Sequence, residues 1–210
     1  MNNLFILIFF VVLIIIYSQY IFINKPNNNL EILQGNNPIK DEYEKIINNK
    51  SVAVFTNIFT DFNVKDFTQI DEVQKKKDLT DLFKYYHNPV TFTYNFKIEG
   101  EDKDSYKPIV RVNSYRFLKV NLTGLKKIII FNPLQEPNLY ITNGYSNLDF
   151  WNPNKSAVPN FYKLKYIEVI LKEKHMIYIP YGWWYSEFNL SNTYSVSSNS
   201  ESCFSYLLKK

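Results

Sequence analysis

Cysteine, histidine, glycine and arginine are all scarce in this chain of 210 residues, and each scarcity closes off a class of chemistry. Cys203 is the single cysteine, so the chain alone builds no intramolecular disulfide, multi-cysteine zinc site or iron–sulfur cluster. His87 and His175 are the two histidines, which rules out a centre held by three imidazoles. Five glycines are too few and too scattered for a phosphate-cradling loop, and no nucleotide-binding spacing occurs. Only Arg111 and Arg116 among the 24 basic residues are arginine. The planar fork that reads bases and phosphates is therefore nearly missing. The net charge of +4 is carried by lysines interleaved with acids, as in Asp41-Glu42-Tyr43-Glu44-Lys45. A nucleic-acid partner is not expected.

What the chain does hold is apolar and aromatic material, 46% and 18% of its residues, enough to bury the core of one domain. From Leu4 to Ile23 no charge appears, and Tyr17, Tyr20 and Phe22 cluster at the end of the run. About 20 apolar residues match the ~30 Å hydrocarbon core, and aromatic rings suit its interface. The flanks carry no basic n-region and no small-residue cleavage site, so a signal peptide is not expected. The sequence thus predicts a single-pass membrane anchor over 1–24, a polar tether over 25–40 containing Pro26, Gly35 and Pro38, and one domain over 41–210. Lys25 and Lys40 follow the anchor, and the positive-inside bias points the domain to the cytosolic side.

Helical spacing is expected over 41–49 and 78–87, each opening on an acid. A short strand is expected over 52–55. After Pro89 the period changes to two: Val90, Phe92, Tyr94, Phe96 and Ile98 alternate with polar residues. Further strands are expected over 109–112, 117–122, 127–131, 166–171, 176–179 and 194–198, with 100–107 as a charged loop. Many short strands behind a helical entry predict a mainly β sandwich or small barrel.

The stretch Leu171 to Tyr185, LKEKHMIYIPYGWWY, resembles the closing segment of the JmjC and cupin-like hydroxylases. Upstream, Gly124-Leu125-Lys126, the apolar run Ile128 to Phe131 and Asn132-Pro133 resemble the family's glycine-x-lysine, strand and x-proline sequence, in the right order. The resemblance implies a double-stranded β-helix. It also implies Fe(II) held by a His-x-Asp pair and a later His, with 2-oxoglutarate as co-substrate. Carried over by the family's spacing, those ligand positions hold Arg111, Asn113 and Tyr185 here. A guanidinium is always protonated and has no acceptor, an amide oxygen is a weak neutral donor, and a phenol ionises only near pH ~10. The expectation is a vestigial metal site: no cofactor, no catalytic residue, and a binding or structural role. The alternative is an Fe(II)/2-oxoglutarate oxygenase with relocated ligands, drawing on His87 or His175.

Two further features carry open readings. Lys126, with Arg111, either anchors an anion such as a small dicarboxylate or, for Lys126, simply starts a strand. Tyr181, Trp183 and Trp184 form either an aromatic platform for a protein partner or part of the core.

Overall fold

The computed structural model describes residues 2–24, 27–58, 77–80, 83, 86, 91–142, 144–153 and 161–202. Helix α1, Asn2–Asn24, is 23 residues long, and its large apolar side chains from Leu4 to Ile15, with Tyr17, are exposed. Side chains are described from Leu4 to Ser18, a length of about 22 Å at 1.5 Å per residue. Among the described residues no helix is long and apolar enough to cross a membrane. Helix α2, Lys40–Asn48, opens with Asp41 and Glu42 in its first turn, where the helix dipole favours acids. It buries Tyr43 and Ile47, four apart and so on one face. The helix expected over 78–87 is helical at 77–80 and 83; His87 lies outside the described residues.

The described residues form twelve strands: β1 Ile32–Asn36, β2 Val52–Thr56, β3 Thr91–Glu101, β4 Val110–Arg111, β5 Arg116–Thr123, β6 Lys126–Phe131, β7 Ile141–Thr142, β8 Tyr145–Ser146, β9 Ile167–Leu171, β10 His175–Ile179, β11 Trp184–Asn189 and β12 Thr193–Ser202. A six-stranded sheet has the order β1-β2-β10-β5-β12-β3, and a four-stranded sheet the order β4-β11-β6-β9. The two face each other as the halves of a barrel, which is the mainly β architecture that the strand pattern predicts.

Three differences from the sequence expectation stand out. The stretch read as tether contains β1, which pairs in parallel with β2 from Ile32↔Val52 to Asn36↔Thr56, so the ordered body reaches back towards residue 27. The loop expected from residue 100 begins two residues later, because β3 pairs with β12 as far as Glu101↔Thr193. Strand β11 is a full six-residue partner of β6, although its sequence WYSEFN shows no plain alternation.

Period two sorts the side chains into layers. On the outer face of the larger sheet, Ala53, Phe55, Leu118, Val120, Met176, Tyr178 and Val196 pack against Tyr43 and Ile47 of α2 and against Leu79, Phe83 and Tyr86. Arg116 fixes that helix to the sheet: its guanidinium meets the Glu44 carboxylate through two bonds of 3.1 Å and donates to the Tyr86 carbonyl at 2.9 Å. Inside the barrel, Val52, Val112, Phe117, Ile128, Ile130, Val169, Ile177, Ile179 and Trp183 form an apolar layer. Outside the smaller sheet, Trp184, Ile109, Ile129 and Phe131 are covered by Leu139, Leu148, Leu164 and Phe150 from the segment between β6 and β9.

The turn joining β5 to β6 depends on Gly124. Its φ is +75°, and a Cβ there would stand 2.2 Å from the Asn192 carbonyl oxygen. A backbone atom cannot swing aside as a side-chain tip does, so both terms act against any other residue. Gly124→Ala is expected to lower unfolding free energy by about 2–3 kcal/mol, read as a reduced urea midpoint at unchanged m-value. An unchanged midpoint would mean that this turn is not formed as described.

Candidate functional site

The interior of the barrel is not wholly apolar. Tyr185, Glu187 and Asn189 alternate along β11 and lie opposite Ile130, Ile128 and Lys126 of β6. Residues opposite one another in an antiparallel pair project to the same side, here inward. Across the barrel, Lys119 of β5 and Glu99 and Glu101 of β3 point at them. Glu187 is fully buried, and both its oxygens accept from Lys119 Nζ, at 2.6 and 2.7 Å. Lys126, also fully buried, donates to Glu187 at 2.9 Å, to Glu101 at 2.7 Å and to Ser195 Oγ at 3.2 Å. Lys119 reaches Glu99 at 3.2 Å. Lys107, partly exposed, bonds to Glu99 and lies 2.5 Å from Glu101. Asn189 donates to Glu101 at 3.1 Å and to Ser105 Oγ at 2.8 Å.

Three ammonium groups thus meet three carboxylates. Burial by itself would raise the Glu187 carboxyl, but Lys119, Lys126 and Lys107 outweigh it and bring it down to about 2. Glu99 and Glu101 are likewise held below the ordinary carboxylate range against the effect of their own burial, Glu99 chiefly by Lys119 and Glu101 chiefly by Lys107. The Lys107 ammonium is held charged, because Glu187, Glu101 and Glu99 outweigh its desolvation. An ammonium has three N–H donors. Those of Lys126 are matched by Glu187, Glu101 and Ser195, so an added anion would have to displace one of the protein's own carboxylates.

The residues at the family's ligand positions do not converge as the spacing predicts. Arg111 lies opposite Trp184, and Val110 opposite Tyr185. Arg111 and Asn113 do share a face, but it is the exposed outer one, with buried Val112 between them. The Arg111 guanidinium rests 5.8 Å from the centre of the Trp184 ring. Tyr185 points the other way, its ring 5.2 Å from that of Phe117. The cause is local: β4 is two residues long, so spacing counted back from Gly124 does not fix which side its residues face. Arg111 is accordingly no member of an interior anion site, whereas Lys126, for which the sequence left both readings open, points inward and is fully buried.

The inward positions beside Tyr185 are therefore Val110 and Val112, which have no ligand atoms. Burial pushes the Tyr185 phenol well above its ordinary range, and Glu187, Glu99 and Glu101 push it further, which keeps it protonated. Iron and 2-oxoglutarate do not fit these residues. Among the described residues no group of three His, Cys, Asp or Glu side chains could hold a metal ion. His175 stands at the start of β10 opposite Asn121, the length of that strand away from Tyr185. Cys203 lies outside the described residues.

The aromatic platform also resolves into packing. Trp183 belongs to the inner apolar layer, Trp184 to the outer one, and both are almost wholly buried. Tyr181 is half-buried beside Tyr178 and Pro180. The two indoles present no face to a partner.

Comparison with known proteins agrees with this architecture. A family model described as the cupin-like domain matches residues 23–199. The chain belongs to the cupin-like family. It is 31% identical over 100 residues to JmjC domain-containing protein D of Dictyostelium discoideum, covering 45% of this chain and 22% of that protein. It is 27% identical over 135 residues to arginine-specific demethylase JMJ20 of Arabidopsis thaliana, covering 62% and 28%. It is 30% identical over 70 residues to tRNA wybutosine-synthesizing protein 5 of Danio rerio, covering 33% and 22%. The matches thus span about a quarter of the length of these curated relatives.

Glu187 is missed by sequence reasoning, because an acid between Ser186 and Phe188 reads as a solvent-facing residue. The available signal is parity: Glu187 shares a strand face with Tyr185, and Lys119 interrupts the apolar run from Phe117 to Val120.

Removing one partner leaves the others buried and uncompensated. Glu187→Gln is expected to destabilise the fold by about 3–5 kcal/mol in urea unfolding. For the acid limb the sign is fixed by the depressed carboxyl groups. Their stabilisation is full above the unfolded value of about 4.3 and is lost as pH falls through the folded value, about 2 for Glu187. The urea midpoint should be level above pH ~5 and fall steeply below ~4, with a shallower fall in Glu187→Gln. A variant as stable as the parent, with an identical acid limb, would refute the clasp.

Proposed function

We propose that this chain is a membrane-anchored, non-catalytic cupin-like module that acts by binding or scaffolding. The observation that carries this reading is the clasped Glu187: the barrel interior, where a cupin-like enzyme would hold its reactants, is occupied by the chain's own neutralised charges. The inward positions beside Tyr185 are valines. The reactions named for the relatives, arginine-specific demethylation and wybutosine synthesis, belong to those proteins. Here the partner is a protein or a membrane surface rather than a dicarboxylate inside the barrel.

The anchor rests on α1. Its 23 residues span about 34 Å, its described side chains from Leu4 to Ile16 are all apolar, and no acidic or basic residue stands in its first or last turn. Nothing in the described fold buries the side chains from Leu4 to Leu13, which suits a lipid environment. The positive-inside bias of Lys25 and Lys40 assigns the domain to the cytosolic side.

Two measurements test the two halves of the proposal. The purified full chain, incubated with ferrous iron, ascorbate and 2-oxoglutarate, should bind no stoichiometric iron, form no succinate and show no rise in Tm. Iron that chelators remove, together with succinate formation, would make it an oxygenase with ligands outside the family's positions. On alkaline carbonate extraction the chain should stay in the membrane pellet; its release would discard the anchor.

A further inference from the structure

We propose that one end of the barrel, carrying Leu134, Tyr162, Arg111, Lys163 and Lys165, rests on the surface of an anionic bilayer. This deepens the anchored reading and depends on it.

The first observation is the shortness of the connection. Helix α1 ends at Asn24. Asn27 is already bound to the body: its Nδ2 donates to the Asn49 carbonyl at 3.1 Å and to Ser51 Oγ at 2.7 Å. The next residue is held too, because Asn132 Nδ2 donates to the Asn28 carbonyl at 2.6 Å. Three residue steps separate Asn24 from Asn27, a reach of at most about 11 Å. The headgroup layer on each side of the hydrocarbon core is roughly 5–8 Å thick. A body pinned at Asn27 and Asn28 therefore has no room to stand clear of the membrane, and the surface around those residues must meet it.

The second observation is what that surface carries. Asn132 begins the 3₁₀ turn Pro133–Asn138, whose Leu134 is exposed. Gln135 in the same turn accepts from the Lys165 backbone N–H at 3.0 Å, which brings the short 3₁₀ turn Phe161–Lys163 and its following residues alongside. Tyr162 is 79% exposed there, with the Lys163 ammonium 5.7 Å from its ring centre. Arg111 reaches the same end: its Nη2 and the Pro133 ring both lie within 4 Å of where a Gly182 Cβ would stand. Acids are present, Glu136 in the first turn and Glu31 accepting from Ser51 Oγ at 3.0 Å. Arg111, Lys163 and Lys165 are the cations beside Leu134 and Tyr162, and Glu201, which accepts from the Tyr115 N–H at 3.3 Å, is a third acid at this end.

An exposed leucine and tyrosine ringed by three cations match an interface of acyl chain ends and anionic headgroups. Tyrosine sits with its ring in the interface and its hydroxyl in water, and each cation near an anionic surface adds to the attraction. The opposite end of the barrel carries Lys172 and Glu173 in the turn before β10 and faces away.

Depth-dependent quenching on the full chain tests the idea. Single cysteines are placed by Leu134→Cys, Tyr162→Cys or Glu173→Cys in a Cys203→Ser background and labelled with bimane. Each protein is reconstituted into vesicles of phosphatidylcholine alone or with 30% phosphatidylserine, with lipids brominated near the headgroup end of their chains. Bimane at positions 134 and 162 should lose at least half its emission in the anionic vesicles and less in the neutral ones. Bimane at 173 should be unaffected in both. Arg111→Glu with Lys163→Glu and Lys165→Glu should remove the anionic preference. Carbonate extraction of the same vesicles separates the two failures. Retention without quenching at 134 and 162, or equal quenching at 173, overturns the docking face and leaves the anchor. Release from the vesicles overturns both.

Discussion

A carboxylate with no exposure to water, gripped by two lysines, sets the terms for the rest of this structure. Glu187 belongs to the smaller sheet and Lys119 to the larger, so their bonds cross the barrel, while Lys126 joins Glu187 to Glu101 on the far edge strand. Burying such ions is unfavourable unless each is met, and here each is met at hydrogen-bonding distance. The cluster also polices register. Slipping β6 or β11 by one residue would turn Lys126 or Glu187 out of the barrel interior and leave its partners buried without their counter-charge. Alternative pairings of these strands are therefore penalised far more than an all-aliphatic interior would penalise them.

The same cluster decides what the interior can do. In a cavity, an unpaired lysine is a binding site; a lysine with three acceptors in place is a strut. Lys126 is a strut. The aromatic residues of the closing segment follow the same pattern of conversion to architecture: Trp183 fills the inner layer, Trp184 the outer, and Trp151 donates its indole N–H to Ser186 Oγ at 2.7 Å from the segment that covers the smaller sheet. Residues whose types suggest recognition are spent on holding two sheets and an aromatic cover together.

How far this was legible from the chain varied with local regularity. Strands with plain alternation or unbroken apolar runs, such as β6 and β10, were readable to within a residue or two, and the glycine-lysine and double-tryptophan signals pointed to the cupin-like barrel. Strand β1 was hidden in a polar stretch because only Ile32 and Leu33 are apolar; it is ordered by pairing with β2, a tertiary effect. Arg111 and Asn113 are both exposed, with buried Val112 between them, so neither enters the barrel. A two-residue strand between irregular segments carries no parity that counting can recover. The partners of Lys126 are invisible for a different reason: Glu101, Glu187 and Ser195 lie 25 to 69 positions away in sequence, and nothing local announces that they meet.

The barrel is also clasped from outside, by the residues that join it to α1. Asn27 bonds to Asn49 and Ser51, which lead into β2 of the larger sheet, whereas Asn28 accepts from Asn132, which directly follows β6 of the smaller one. Two consecutive residues therefore bridge the two halves at one end, as Glu187 bridges them within. The chain then continues into β1 and adds a strand to the larger sheet. The bonds of Asn27 and Asn28 therefore belong to the fold itself: losing them would free one sheet from the other at that end, as losing Glu187 would free them within.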